Sequence, residues 1–219
     1  PTRDYYIFNG WCMDELCETE IVTEIPAGSY GDKVYYAKWT PITYYITYEG
    51  LQFVGLQQGK NNEDNPYKYN VESETITFKE PTRLGYKFLG WYLDAEHTTE
   101  ITEIKAGSNG DVTIYADWEI IVYNIEYKGV DFKGVSASPD VTNPNETIVT
   151  YTVEDEVVLA QPTRKGYTFE GWVGTDVATA TKDVTIPEGS IENRTFTATW
   201  KVIEYTITYE LDGGTNPTS

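Results

Sequence analysis

The stretch Pro81–Trp91, PTRLGYKFLGW, decides the fold, because it returns as PTRDYYIFNGW from Pro1 and as PTRKGYTFEGW from Pro162. The copies begin about 80 residues apart, so the chain of 219 residues is a tandem array of one small unit rather than one large domain. Within the stretch Tyr86 and Phe88 alternate with Lys87 and Leu89. That is a period of two, the signature of a half-buried strand. Gly85 and Gly166 predict a turn after the arginine, whereas Tyr5 in the first copy predicts a different turn there.

Outward from this strand the copies keep further landmarks. Ile25-x-x-Gly28, Ile104-x-x-Gly107 and Ile186-x-x-Gly189 are followed by turns at Gly31-Asp32, Gly110-Asp111 and Glu192-Asn193. A second strand carries Tyr35-Ala37-Trp39, Ile114-Ala116-Trp118 or Phe196-Ala198-Trp200, and alternation puts each trio on one face. Next comes Tyr-x-Ile-x-Tyr, at Tyr44–Tyr48, Tyr123–Tyr127 and Tyr205–Tyr209. Its aromatic and β-branched residues again favour a strand. Loops with Asn65-Pro66, Asn143-Pro144 or Asn216-Pro217 follow, and a fourth strand, Glu74–Phe78 or Glu156–Leu159, leads into the next Pro-Thr-Arg. Helical signal is confined to Asp94–Thr99 and its counterparts, a turn or two at most. The fold class expected is mostly β, α+β at most, with largely antiparallel strands.

Positions kept in all three copies describe what the unit needs to fold. Tyr6, Phe8, Trp11 and Trp39 in the first copy are therefore expected in its core. Tyr86, Phe88, Trp91 and Trp118, and Tyr167, Phe169, Trp172 and Trp200, take the same places in the others. A unit of roughly 80 residues has a marginal core, and large aromatics contribute most area per residue. The kept arginines Arg3, Arg83 and Arg164 are expected to pair with carboxylates or cap carbonyls.

Composition narrows the function. Sixteen basic against 35 acidic residues give a net charge of −19, spread along the chain. Nucleic acid binding needs a basic surface that this balance does not provide. No apolar run approaches the roughly 20 residues of a membrane-spanning helix, so membrane insertion is not expected. The chain reads as a segment of a longer polypeptide.

The run PTRxGYxFxGWYxD (Pro81–Asp94), with ITEIxxGSxGD (Ile101–Asp111), YAxW (Tyr115–Trp118) and YTITYxLDGGTNPTS (Tyr205–Ser219), resembles the Listeria–Bacteroides repeat, a family that includes the B repeats of internalin B. The resemblance implies tandem β-grasp-like modules of secreted or cell-wall-attached bacterial surface proteins, serving as stalks or adhesive segments. In that family's frame a unit begins at Tyr-x-Ile-x-Tyr. Residues 41–118 and 119–200 are then complete repeats, 1–40 the C-terminal part of one, and 201–219 the start of another. Only Glu119–Val122 lie between Trp118 and Tyr123, which predicts an elongated, semi-rigid rod, expected to be monomeric. The partners implied are a host or bacterial surface protein, or a glycan.

Chemistry is sparse. His97 is the single histidine and aligns with Cys17, which argues against a His-based catalytic or metal centre. Acidic pairs such as Glu63-Asp64 lack calcium-loop spacing. No enzymatic activity, cofactor or metal is expected. Cys12 and Cys17 flank four residues, and an extracellular setting permits a disulfide between them, with free thiols as the alternative. Asn145-Glu-Thr147 and Asn193-Arg-Thr195 match the glycosylation sequon by pattern only. Tyrosines that vary between copies, Tyr5, Tyr30, Tyr67, Tyr69 and Tyr92, are the candidates to face a ligand. They favour a second reading, a carbohydrate- or mucin-binding module.

Overall fold

The computed structural model describes residues 1–52, 58–130 and 141–215. Asn216-Pro217 therefore lies outside the described residues. Strands, turns and bends account for all the regular structure there, with no helix. The chain divides into two compact units, Pro1–Ile120 and Ile121–Ser219.

The first unit is built on a four-stranded sheet in the order Lys68–Tyr69, Tyr44–Glu49, Val112–Ile120, Tyr86–Tyr92. Its central pairing is parallel, Ile46 opposite Val112 and Tyr48 opposite Ile114, while both outer pairings are antiparallel. Alternation identifies the buried face of a strand but not its partner, so this parallel join within an otherwise antiparallel sheet is not legible in the sequence. Parallel neighbours need a long crossover, which residues 50–111 provide. Within it Ile76–Thr77 pairs with Glu103–Ile104 as a small second sheet. Residues 1–41 add a separate hairpin of Tyr6–Cys12 with Tyr36–Pro41. It is tied to the main sheet region by Ile42 N–H donating to Tyr5 O (2.8 Å) and by Tyr6 Oη donating to Glu72 Oε1 (2.8 Å).

The second unit repeats the plan with five strands, in the order Thr150–Tyr151, Tyr123–Lys128, Arg194–Val202, Tyr167–Gly174, Val177–Thr181. Ile125 lies opposite Arg194 and Tyr127 opposite Phe196, again in parallel. Val157–Leu159 with Val184–Ile186 matches the small second sheet.

The Gly-Trp of each copy marks a bulge. The register slips between Phe88 and Gly90, and identically at Phe8/Gly10 and Phe169/Gly171. One extra residue lets Phe and Trp turn toward the same face. Phe88 then contacts Trp91 and Trp118 edge to face at 5.4 Å, and Phe169 contacts Trp172 and Trp200 at 5.5 Å. Gly171 has φ 148°, and a Cβ there would come 2.6 Å from Ala180 C.

Two local expectations are corrected. Tyr5 adopts φ 66°, close to the 71° and 80° of Gly85 and Gly166, so the turn after the arginine is the same in all three copies despite the side chain. Asp94–Thr99 is a closed turn, not a helical one. The Asp94 carboxylate accepts from Thr98 N–H (2.9 Å) and Thr99 N–H (2.9 Å), so a short acidic side chain does the work of intrahelical bonds.

Candidate functional site

The kept aromatics define the interior of each unit. Trp91 and Trp172 are buried, packed on Tyr48 and Tyr127 respectively, with ring centroids 5.3 and 5.6 Å apart. Tyr86, Phe88, Trp118, Tyr167 and Trp200 are half-buried at the margin, and Phe169 is buried. The rim tryptophans lock the end of the parallel strand beside them, some 70 positions earlier in the chain: Trp118 Nε1 donates to Gly50 O and Trp200 Nε1 to Gly129 O, each at 2.9 Å. Trp91 Nε1 donates to Lys79 O at 3.1 Å, whereas Trp172 Nε1 finds no partner among the described residues.

Buried asparagines fasten the loops to this core. Asn65 accepts from Lys79 N–H (2.7 Å) and donates to Lys79 O (2.9 Å). Asn145 does the same with Ala160, at 2.8 Å in both directions. The structural partner of Asn65 is thus Asn145, two residues beyond the Asn143 that the Asn-Pro pattern matches. Full burial of Asn145 closes its sequon to modification in the folded chain. At the start of each Tyr-x-Ile-x-Tyr strand, Asp111 Oδ1 accepts from Tyr45 N–H and Asn193 Oδ1 from Asn124 N–H, each at 2.8 Å. The turn residues noted in the sequence are therefore strand anchors.

The kept arginines stack on tyrosine rings. Arg3, Arg83 and Arg164 lie over the rings of Tyr6, Tyr86 and Tyr167, with Cζ 3.6, 3.4 and 3.7 Å from the ring centroids. The Arg-x-x-Tyr turn brings the residues together, and the ring face attracts the cation.

The first copy diverges. Trp11 is 41% exposed, against 3% for Trp91 and none for Trp172, because no described residue stands over it as Tyr48 and Tyr127 stand over the others. Tyr6, Phe8 and Trp39 remain half-buried, with Phe8 set between Trp11 and Trp39. Trp11, Val22, Ile25 and Tyr35 consequently line an open groove of about 580 Å³. Nearby, Cys12 and Cys17 are joined in a disulfide. The equivalent positions in the next copy are Tyr92 and His97, whose rings approach to 5.2 Å, so a covalent link stands where a ring contact stands elsewhere. Cys17 and His97 share the left-handed backbone, φ 54° and 55°.

Of the candidate ligand-facing tyrosines, Tyr5, Tyr30 and Tyr67 are exposed and Tyr92 is half-buried against His97. Tyr69 is not available to a ligand. It is 4% exposed and donates to Gly110 O at 2.5 Å, because the two-residue strand it sits in turns it into the core. The structure does not gather these tyrosines into one patch within residues 41–118, since Tyr67 packs on Tyr48 while Tyr92 packs on His97. Among the described residues no group of three or more His, Cys, Asp or Glu side chains is placed to hold a metal ion.

Comparison with known proteins agrees with this repeated architecture. A Gly-rich membrane protein, so named provisionally, from Evansella cellulosilytica is 27% identical over 225 aligned residues, covering 98% of this chain and 22% of that protein. A second protein of the same organism, provisionally named a membrane protein, is 31% identical over 182 residues, or 78% of this chain and 24% of its own. The chain thus spans less than a quarter of either relative. No solved structure matches it. The Listeria-Bacteroides repeat domain matches residues 1–38, 44–117 and 123–199, and the chain belongs to that family.

Proposed function

We propose that this chain is a non-enzymatic spacer segment of a bacterial surface protein, built from modules of the internalin B repeat type with a β-grasp-like plan and strung into a stiff rod. The observation that carries the reading is that residues repeated between copies are used in the fold. The tryptophans fill the core or lock a strand, the arginines cover tyrosines, the glycines form bulges and Asp111 and Asn193 anchor strands. Repetition of structure without repetition of a reactive constellation suits a chain whose task is length and stiffness. The membrane-protein names of the two relatives support a place at the cell envelope, where the reading puts the segment outside the membrane, wall-attached or secreted. Small-angle scattering on dilute chain tests the rod. An extended distance distribution is expected, and a compact globule would defeat the reading.

A second reading, adhesion through a glycan or surface protein, is favoured by one observation: Tyr30 and Tyr67 are exposed aromatic faces that differ from copy to copy. Sugars stack on such faces. Titration with mucin-type glycans should then perturb tyrosine fluorescence and lose that response in Tyr30→Ala or Tyr67→Ala. An unchanged spectrum would remove it.

A further inference from the structure

The two units differ at one edge of the sheet. After Tyr86–Tyr92 the chain folds into the closed turn at Asp94, whose carboxylate occupies the N–H groups of Thr98 and Thr99. Glu96 and Glu100 place charge beside it. After Tyr167–Gly174 a two-residue turn, Thr175-Asp176, instead sends the chain back as Val177–Thr181, the outermost strand of its sheet. Val177 is half-buried, while Ala178, Thr179, Ala180 and Thr181 are all exposed. The strand thus adds an edge to the sheet and almost nothing to the core. The matching stretch of the first unit, Leu93–Glu100, is mostly exposed too, so this side of the module faces solvent in both units.

Sheet edges are ordinarily blunted by charge, proline or a covering segment, because their unpaired N–H and C=O groups template another strand. Val-Ala-Thr-Ala-Thr carries no charge and no proline. Val177 lies opposite Gly174 across the two-residue turn and Thr181 opposite Trp172, so the N–H and C=O groups of both point inward. Alternation along the strand turns those of Ala178 and Ala180 outward, and their methyl side chains are too small to block an approaching strand. Thr179 O accepts from Thr181 Oγ1 within the chain (2.9 Å), which leaves Ala178 and Ala180 as the open pairing groups.

We infer that Val177–Thr181 pairs antiparallel with the same strand of a second copy of this chain, about a two-fold axis at Thr179. Ala178 of each copy exchanges both backbone hydrogen bonds with Ala180 of the other. Thr179 meets Thr179, and Val177 meets Thr181. The flanking charges select this occupant. Continued by one residue, the register sets Asp176 of each copy opposite Lys182 of the other, so both ends of the pairing match a carboxylate with an ammonium. The Asp176 side chain is 76% exposed beyond its bond to Arg194 Nη1 (2.7 Å), and among the described residues Lys182 forms no ion pair. At physiological ionic strength charges are screened over about 8 Å, so these near pairs outweigh the repulsion between two acidic chains. A two-fold contact of this kind is isologous and closes at a dimer. Two paired five-residue strands bury less than a standard interface, so the dimer forms at high protein concentration. The inference does not depend on the spacer reading.

Cysteine substitution in the 219-residue chain tests the register, since Cys12 and Cys17 are already joined and each variant carries one free thiol. Directly opposed strand positions that exchange no hydrogen bonds lie about 4.5 Å apart at Cα, within disulfide reach. Under mild oxidation Thr179→Cys should give a covalent dimer at least about tenfold faster than Thr181→Cys, whose two copies are offset along the strand. A mixture of Val177→Cys and Thr181→Cys should cross-link one to the other. Sedimentation velocity of the unmodified chain up to about 1 mM should show dimers. Thr179→Lys sets like charges face to face and should weaken them, with unchanged circular dichroism because that side chain is exposed. A chain monomeric up to that concentration, a dimer indifferent to Thr179→Lys, or equal cross-linking rates for Thr179→Cys and Thr181→Cys would overturn the inference.

Discussion

Gly171 shows how little freedom a kept residue has. Its φ of 148° and the Ala180 carbon 2.6 Å from a would-be Cβ mean that Gly171→Ala must shift the hairpin beside it. The expected cost is about 2–4 kcal/mol. At Gly90 the nearest atom is a Tyr92 ring carbon at 3.3 Å, a side chain able to move, and Gly90→Ala should cost about 1 kcal/mol. Urea denaturation of the two variants separates these values, and equal losses would contradict the bulge reading. Tyr127 makes a second residue-scale test. Burial pushes its phenol up to about 12. A raised pKa means that the neutral form is the one the fold favours. The stabilisation is whole below the unfolded value of about 10 and is lost as pH rises from there through about 12. Alkaline unfolding followed by circular dichroism should show that loss, and Tyr127→Phe should reduce it.

Among the elements, the strands were legible and their partners were not. Tyr86–Tyr92, Val112–Ile120 and Tyr44–Glu49 follow from period-two alternation, which says which face is buried. It does not say that Tyr44–Glu49 and Val112–Ile120 run parallel, because a partner some 66 positions away leaves no local mark. Glu103–Ile104 and Lys68–Tyr69 were hidden because two residues cannot display a period, and Tyr69 was misplaced for that reason. Asn145 was missed because Asn143-Pro144 offered a better sequence match. Its loop should depend on it. Asn145→Ala removes both bonds to Ala160 and leaves that backbone buried, so a cost of about 2–4 kcal/mol is expected by thermal or urea unfolding. The acidic turns respond to pH in the opposite sense to Tyr127. Hydrogen bonds from Thr19 and Glu18 hold the Asp14 carboxyl at about 2. The closing bonds are therefore whole above about 4 and are lost as pH falls toward about 2. Amide resonances of Glu18 and Thr19 should report this. The Cys12–Cys17 link encloses a short loop and should contribute about 2 kcal/mol. A thiol assay on unreduced, denatured protein should find no free thiol, and two would contradict the bridge.

At the scale of the whole molecule, one plan recurs in both units, a Tyr-x-Ile-x-Tyr strand running parallel to Val112–Ile120 in one and to Arg194–Val202 in the other. In each unit that strand covers the core, with Ile46 and Ile125 buried beneath it. Modules that share one plan are suited to tandem use. Of the 35 acidic residues some are structural, Asp111 anchoring a strand and Asp94 closing a turn. Closure by the Tyr-x-Ile-x-Tyr strand is the central claim, and hydrogen exchange read by mass spectrometry on dilute, intact chain tests it most directly. Val112–Ile114 and Arg194–Phe196 should exchange slowly, while the aligned Lys33–Tyr35 and the free Thr206–Glu210 exchange near their intrinsic rates. Equal protection at Lys33–Tyr35 and Val112–Ile114 in the dilute chain would contradict it.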